Sequence, residues 1–352
     1  MIVTAVLTVP PLGQRTISTS HEARFALLAR DIVEQGAWFF TLLLGAALFG
    51  ARAGLWGALI LLTSYEFFAY SQLLLPDMLV VVFVTAAAYF FWRAQGDPPG
   101  RGALAAFYGA LAMGVFAKGP VGLLPLLVAA VWLWSEHGLR GLVRLWSPLG
   151  VGLFVGVTAV WLGPFLAIGG RSFAQDVLQA DWLDWFVGLP GRKDLTDFSI
   201  EALLGSMPWI PVLPLALASG IRGWRSPGTR FAFLWFVVPL VLVALSLNPR
   251  ARYLLPLYPA GALLIARWVE TRGAAPTVAG RVAGWASLAG ALAAVAAPAW
   301  LRPSPAYFAP AFSWTVLPLA AGAIMIGIAL FWGLRAGRPA LLVYGGSAAG
   351  WR

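Results

Sequence analysis

The sequence predicts an all-α polytopic membrane protein, a helical bundle of about 10–12 transmembrane segments. Three observations carry this. Of 352 residues, 60% are hydrophobic and only 11% charged, whereas a soluble domain is about a quarter charged. Apolar runs recur from about residue 37 to residue 334, each long enough for most of a bilayer crossing. Thirty-nine glycines and 25 prolines suit close helix packing and broken helices in lipid better than a soluble helical core.

The elements follow in chain order. Residues 1–13 lack a basic stretch, which makes them a poor signal peptide and a short first span. Residues 14–36 form a first outer segment. Within it, residues 22–34 place Phe25, Leu28, Ile32 and Val33 at roughly helical spacing, with charges opposite and Ser20 as a capping residue. This predicts a helix lying along the membrane surface; a plain amphipathic connector is the alternative. Spans are expected near 37–49, 53–70, 76–92, 102–117, 120–134, 148–168, 201–218, 230–247, 253–269, 282–301 and 313–334. Several fall short of about 20 residues, so tilt, bilayer thinning or half-spans are expected. A second, longer outer segment covers 169–200. Residues 1–270 read as one transmembrane module, and 271–352 as C-terminal helices with a short tail.

Charge sets the orientation. One alternating set of loops holds fourteen arginines, among them Arg52, Arg93, Arg140, Arg225 and Arg230, against three acids, Asp97, Glu136 and Glu270. The other set holds the remaining ten bases and eleven acids. The Lys/Arg bias places the first set in the cytoplasm. The same bias accounts for the net charge of +10 without nucleic acid as a partner. The absence of cysteine excludes disulfides and thiolate chemistry, and two histidines, His21 and His137, exclude a multi-histidine metal site. There is no glycine-rich phosphate loop, dinucleotide fingerprint or hydrolase elbow.

Once the topology is drawn, Glu22, Asp77, Lys118, Arg250 and Arg252 converge on the outer face. Asp77 follows Pro76 at a helix start, where the dipole favours a carboxylate. Lys118 is the only lysine within the apolar stretch; an interfacial lysine reaching for headgroups is the plain alternative. Arg250 and Arg252 flank an outer turn, and an arginine fork suits phosphate; Tyr253 adds a donor. The 171–201 segment interleaves acids with Trp182, Trp185 and Phe186, which reads first as an interfacial aromatic belt. Its aspartates make a divalent cation possible, without a defined ligand spacing.

Several of these segments resemble the lipid-linked-sugar glycosyltransferases of the aminoarabinose-transferase and protein-mannosyltransferase type. His21-Glu22-Ala23-Arg24-Phe25-Ala26, running on to Gly36-Ala37-Trp38, is similar to that family's first outer loop. Leu75-Pro76-Asp77-Met78, Ala117-Lys118-Gly119-Pro120, Gly163-Pro164-Phe165, Met207-Pro208-Trp209 and Arg252-Tyr253-Leu254-Leu255-Pro256 resemble further family motifs, in the family's order, over roughly residues 16–270. Two departures stand out. His21 replaces the family's first acid, and the stretch with its Lys-Pro-Pro element is missing after Trp38. The chain is also expected to lack the soluble C-terminal domain of many relatives.

The resemblance implies a GT-C-like bundle that moves a sugar from a polyprenyl phosphate to a lipid, glycan or protein acceptor on the outer face of a bacterial inner membrane. Cleavage at the anomeric carbon builds positive charge there and negative charge on the departing phosphate, so the reaction needs a carboxylate or other base near the acceptor and cations at the phosphate. Glu22, Asp77 and His21 are the candidate catalytic groups; Lys118, Arg250, Arg252 and Tyr253 are the candidate ligands of the lipid phosphate. Two other readings stay open. A catalytically degenerate relative would bind lipid-linked sugars without turnover. A lipid-phosphate flippase or other transporter would show charges near mid-bilayer, and apart from Glu66, one turn from an outer end, the apolar segments carry none.

Overall fold

The computed structural model describes residues 36–71, 76–96, 100–177, 205–245, 251–272 and 278–300, together with residues 321, 322 and 324. The predicted surface helix over 22–34 and nearly all of the predicted segment 313–334 lie outside these. Regular structure among the described residues is helical, with no strand.

Helices α1 (Ala37–Phe49) and α2 (Ala51–Leu62) form a hairpin about Gly50. Their backbones touch: a Cβ added at Gly45 would sit 2.6 Å from the Gly54 Cα. Such contact between small residues gives helices in lipid their packing energy, because hydrophobic burial alone does not favour one apolar neighbour over another there. The segment expected as one span over 53–70 is broken. The hydroxyls of Thr63 and Ser64 turn back onto the carbonyls of Leu59 and Ile60, each at 2.8 Å, and a separate short helix α3 (Tyr65–Ser71) follows.

Helix α4 (Pro76–Ala94) opens on a proline, which gives up no needed amide at a first helical position. It packs against α5 (Arg101–Lys118), α1 and α6 (Leu124–His137). Gly119, with φ 63°, ends α5, and a 3-10 turn, Gly119–Leu123, bends the chain until Gly122 lies against the Gly114 backbone. So the apolar run Arg101–His137 is two arms, as the separate expected segments 102–117 and 120–134 have it. A second 3-10 turn, Leu139–Leu145, meets α7 (Pro148–Val177) at 62°.

The expected span over 201–218 is corrected. Residues 201–204 lie outside the described part, and a regular helix, α8, runs only over Leu213–Arg222. Pro208, Pro211 and Pro214 each remove a backbone amide, and Pro208 and Pro211 hold the preceding residues in turns. Helix α9 (Pro227–Ala244), a 3-10 turn (Ala251–Leu257), α10 (Tyr258–Arg272) and α11 (Val278–Trp300) complete the described chain.

The core is one apolar cluster centred on α4, α5, α9 and α10. Phe91 packs against Phe107, Trp132 and Phe231 at ring distances of 5.6–5.7 Å. The Trp132 indole donates to the Pro227 carbonyl at 3.1 Å, fastening α6 to the start of α9. The expected cytoplasmic arginines gather at this end: Arg230 pairs with Glu136, and Arg267 lies 5.4 Å from the Phe49 ring. Among the described residues three apolar runs reach membrane-crossing length, four with the bent pair counted as one, and three shorter apolar helices accompany them. The chain is an integral membrane protein in which several expected spans are short or broken.

Candidate functional site

At the opposite end of the bundle, three elements bring together charges far apart in sequence. Asp77 sits in the first turn of α4 and Lys118 in the last turn of α5. The two helix dipoles favour this placement, a carboxylate at an N-terminus and an ammonium at a C-terminus. Because α4 and α5 are packed side by side, the Lys118 ammonium pairs with Oδ1 of Asp77. The Asp77 side chain is 6% exposed and that of Lys118 24%, so the pair is shielded on the carboxylate side and open on the ammonium side.

The 3-10 turn Ala251–Leu257 packs on α4 and delivers the rest. Its apolar face is anchored by Leu254, Leu255 and Leu257, all buried. The Tyr253 ring lies under both cations: the Lys118 ammonium is 4.6 Å from its centroid and the Arg252 guanidinium 5.5 Å, each within cation–π range. Burial works against the Arg252 charge, but a hydrogen bond with Tyr253 and the nearby Asp77 carboxylate outweigh it and hold the group above its ordinary value. The Arg252 Nε is buried and makes no hydrogen bond among the described residues. A buried, unused donor on a charged group is costly, and among the described residues this strand of the arginine fork has no acceptor.

Of the residues expected to form the site, the structure therefore unites Asp77, Lys118, Arg252 and Tyr253. Arg250, Glu22 and His21 lie outside the described residues. Among the described residues no three acids or histidines gather as metal ligands.

Two participants escaped the sequence reading. Glu66, on α3, is buried at 6% exposure, and its Oε2 accepts a 2.7 Å hydrogen bond from the Tyr258 hydroxyl at the start of α10. Tyr70, one turn further along α3, lies near enough to feel both Arg252 and Tyr258. The sequence signal for Glu66 is a lone acid within an apolar stretch.

Comparison with known proteins bears on the fold and the kind of protein. A model of the family described as dolichyl-phosphate-mannose-protein mannosyltransferase matches residues 35–163. The chain is similar to an undecaprenyl phosphate-alpha-4-amino-4-deoxy-L-arabinose arabinosyl transferase of Pectobacterium carotovorum, 24% identical over 356 residues, covering 82% of this chain and 62% of the relative. A protein of the same description from Pseudomonas fluorescens is 30% identical over 180 residues, 46% of this chain and 30% of the relative. The fold is similar to that of ArnT from Cupriavidus metallidurans bound to undecaprenyl phosphate, with a TM-score of 0.71 at 18% identity, covering 95% of this chain and 62% of that one. The apo state of the same protein gives 0.68. The chain thus spans about 62% of the length of the Pectobacterium carotovorum relative and of the Cupriavidus metallidurans protein. The resemblance to membrane glycosyltransferases of the GT-C type stands, and the fold is theirs.

Proposed function

We propose that this chain transfers a sugar from a polyprenyl phosphate to a lipid, glycan or protein acceptor at the outer face of a bacterial inner membrane. The observation that carries the reading is the pairing of two cations over one tyrosine at a membrane helix end, with a buried Arg252 Nε that has no acceptor among the described residues. A phosphate monoanion or dianion is the ligand such a group accommodates. The likeness to relatives named for undecaprenyl phosphate supports the choice of a lipid carrier.

In this reading the glycosidic C–O bond to phosphate breaks, and the negative charge that grows on the leaving phosphate is met by Arg252 and Lys118, with Arg250 as a third cation. The acceptor oxygen attacks the anomeric carbon from the opposite side and loses its proton to a base. Asp77 neutralises part of the Lys118 charge before the lipid arrives and stays a proposed catalytic carboxylate beside Glu22 and His21. Glu22 and His21 are the proposed sources of the base. A lipid phosphate bound by these cations needs no divalent ion, so binding is expected to survive EDTA. Loss on chelation would instead bring in an ion, with the acidic 171–201 segment its natural holder.

The test is release of radiolabelled sugar from polyprenyl-phosphate sugars by purified protein in detergent. Turnover that disappears in Arg252→Ala supports the transferase. Donor binding with no turnover in the wild type would replace it by a carrier-binding relative. Absence of both would return the reading to transport.

A further inference from the structure

The carboxylate that the proposed reaction leaves unused is Glu66. In a membrane bundle a buried carboxylate is expensive unless it is held by hydrogen bonds or charge. Its environment is built for it. Besides accepting from Tyr258 at 2.7 Å, it is walled by Gly205, where an added Cβ would clash with both Glu66 Oε2 and the Tyr258 hydroxyl. The neighbouring backbone is pinned as well: the Tyr65 amide donates to the Met207 carbonyl at 2.9 Å, and the Trp209 indole donates to Thr63 Oγ1 at 2.9 Å. Glu66 thus sits where α3, the proline-rich 205–212 segment and α10 meet.

Tyr258 is the residue at which the 251–257 turn passes into α10. The turn's leucines fix its depth, but apolar burial is non-directional and does not fix how the turn is rotated about its own axis. A short hydrogen bond to a carboxylate is directional. Placed at the turn's end, five residues from Tyr253, a bond of this kind restrains that rotation.

We propose that Glu66 is a positioning residue of the anion site, acting through Tyr258 to aim the turn that carries Arg252 and Tyr253. The inference deepens the lipid-phosphate reading and rests on it for its purpose, but the placement can be read without a ligand. The chain has two lysines, Lys118 and Lys193, so the rate of trace acetylation of Lys118, normalised to Lys193 by peptide mass spectrometry, reports how the Lys118 ammonium is held. Glu66→Ala and Tyr258→Phe are expected to raise that ratio several-fold and to weaken binding of undecaprenyl phosphate by about three- to tenfold, the weight of one hydrogen bond. The double variant is expected to do less than the two single ones together, since both changes remove the same bond. Glu66→Gln, whose amide oxygen can still accept from Tyr258, is expected to stay near wild type in both measurements.

Glu66→Ala and Tyr258→Phe proteins that melt earlier yet keep the wild-type acetylation ratio and affinity would reduce the pair to helix glue and overturn the proposal. A Glu66→Gln protein as impaired as Glu66→Ala would overturn the hydrogen bond as its means. If the wild type binds no lipid phosphate while the acetylation ratio still responds, the transferase reading fails and the positioning role of Glu66 stands.

Discussion

At the scale of single residues, the site divides its labour between two cations with different commitments. Lys118 is already engaged by Asp77, whereas Arg252 keeps a buried donor without an acceptor among the described residues. Arg252→Ala is therefore expected to weaken undecaprenyl-phosphate binding by about ten- to a hundredfold, as loss of hydrogen bonds to a charged group does. Arg252→Lys should restore only part of this, because an ammonium cannot reproduce the guanidinium fork. A titration of both variants in detergent checks the order. Asp77→Asn makes a sharper case. Removing the carboxylate frees Lys118 for the phosphate, so affinity should hold or rise while turnover falls. Loss of affinity in Asp77→Asn would show instead that the carboxylate is needed to place Lys118.

At the scale of elements, the bundle depends on breaks as much as on helices. The α1–α2 hairpin closes because Gly54 lets the second helix ride on the backbone of the first, with the Ala46 amide 2.7 Å from where a Cβ would stand. Gly54→Val should cost about 1–3 kcal/mol, the usual effect of overpacking, read as an earlier thermal transition in detergent with lipid-phosphate affinity per folded molecule unchanged. The interruptions at Thr63–Ser64 and over 205–212 have a different part. They place α3 and the 205–212 segment across the end of the bundle where Glu66 meets Tyr258. The apolar pattern could not show this, since a broken span and a whole one have similar composition. The prolines at 208, 211 and 214 were the local warning.

At the scale of the whole molecule, the arginine-rich end and the Asp77–Lys118–Arg252 end lie on opposite sides of the core. The positive-inside bias predicts that the first end is cytoplasmic. The chain contains no cysteine, so single introduced thiols report orientation against a silent background. Arg225→Cys should react with a membrane-impermeant maleimide only after the cells are opened, and Asn248→Cys in intact cells. The reverse pattern would put the lipid-phosphate site on the cytoplasmic side and remove the outer-face reading.

The sequence by itself determined the solvent, the helical class and the end of the bundle at which the charges gather. Hydrophobic run length and arginine asymmetry are properties of the chain that the bilayer reads directly, one segment at a time. It also named Lys118 and Arg252, because cations that run against both burial and the positive-inside bias are conspicuous in so apolar a chain, with Asp77 picked out by its place at a helix start and Tyr253 by its place beside Arg252. Only the tertiary structure decided who pairs with whom. The Asp77–Lys118 contact spans 41 positions and the Glu66–Tyr258 bond 192, and no local pattern encodes such separations. They follow from α4 lying against α5 and the 251–257 turn, and from α3 being cut loose from α2, arrangements set by close packing of small residues and by the Thr63 and Ser64 hydroxyls that end α2.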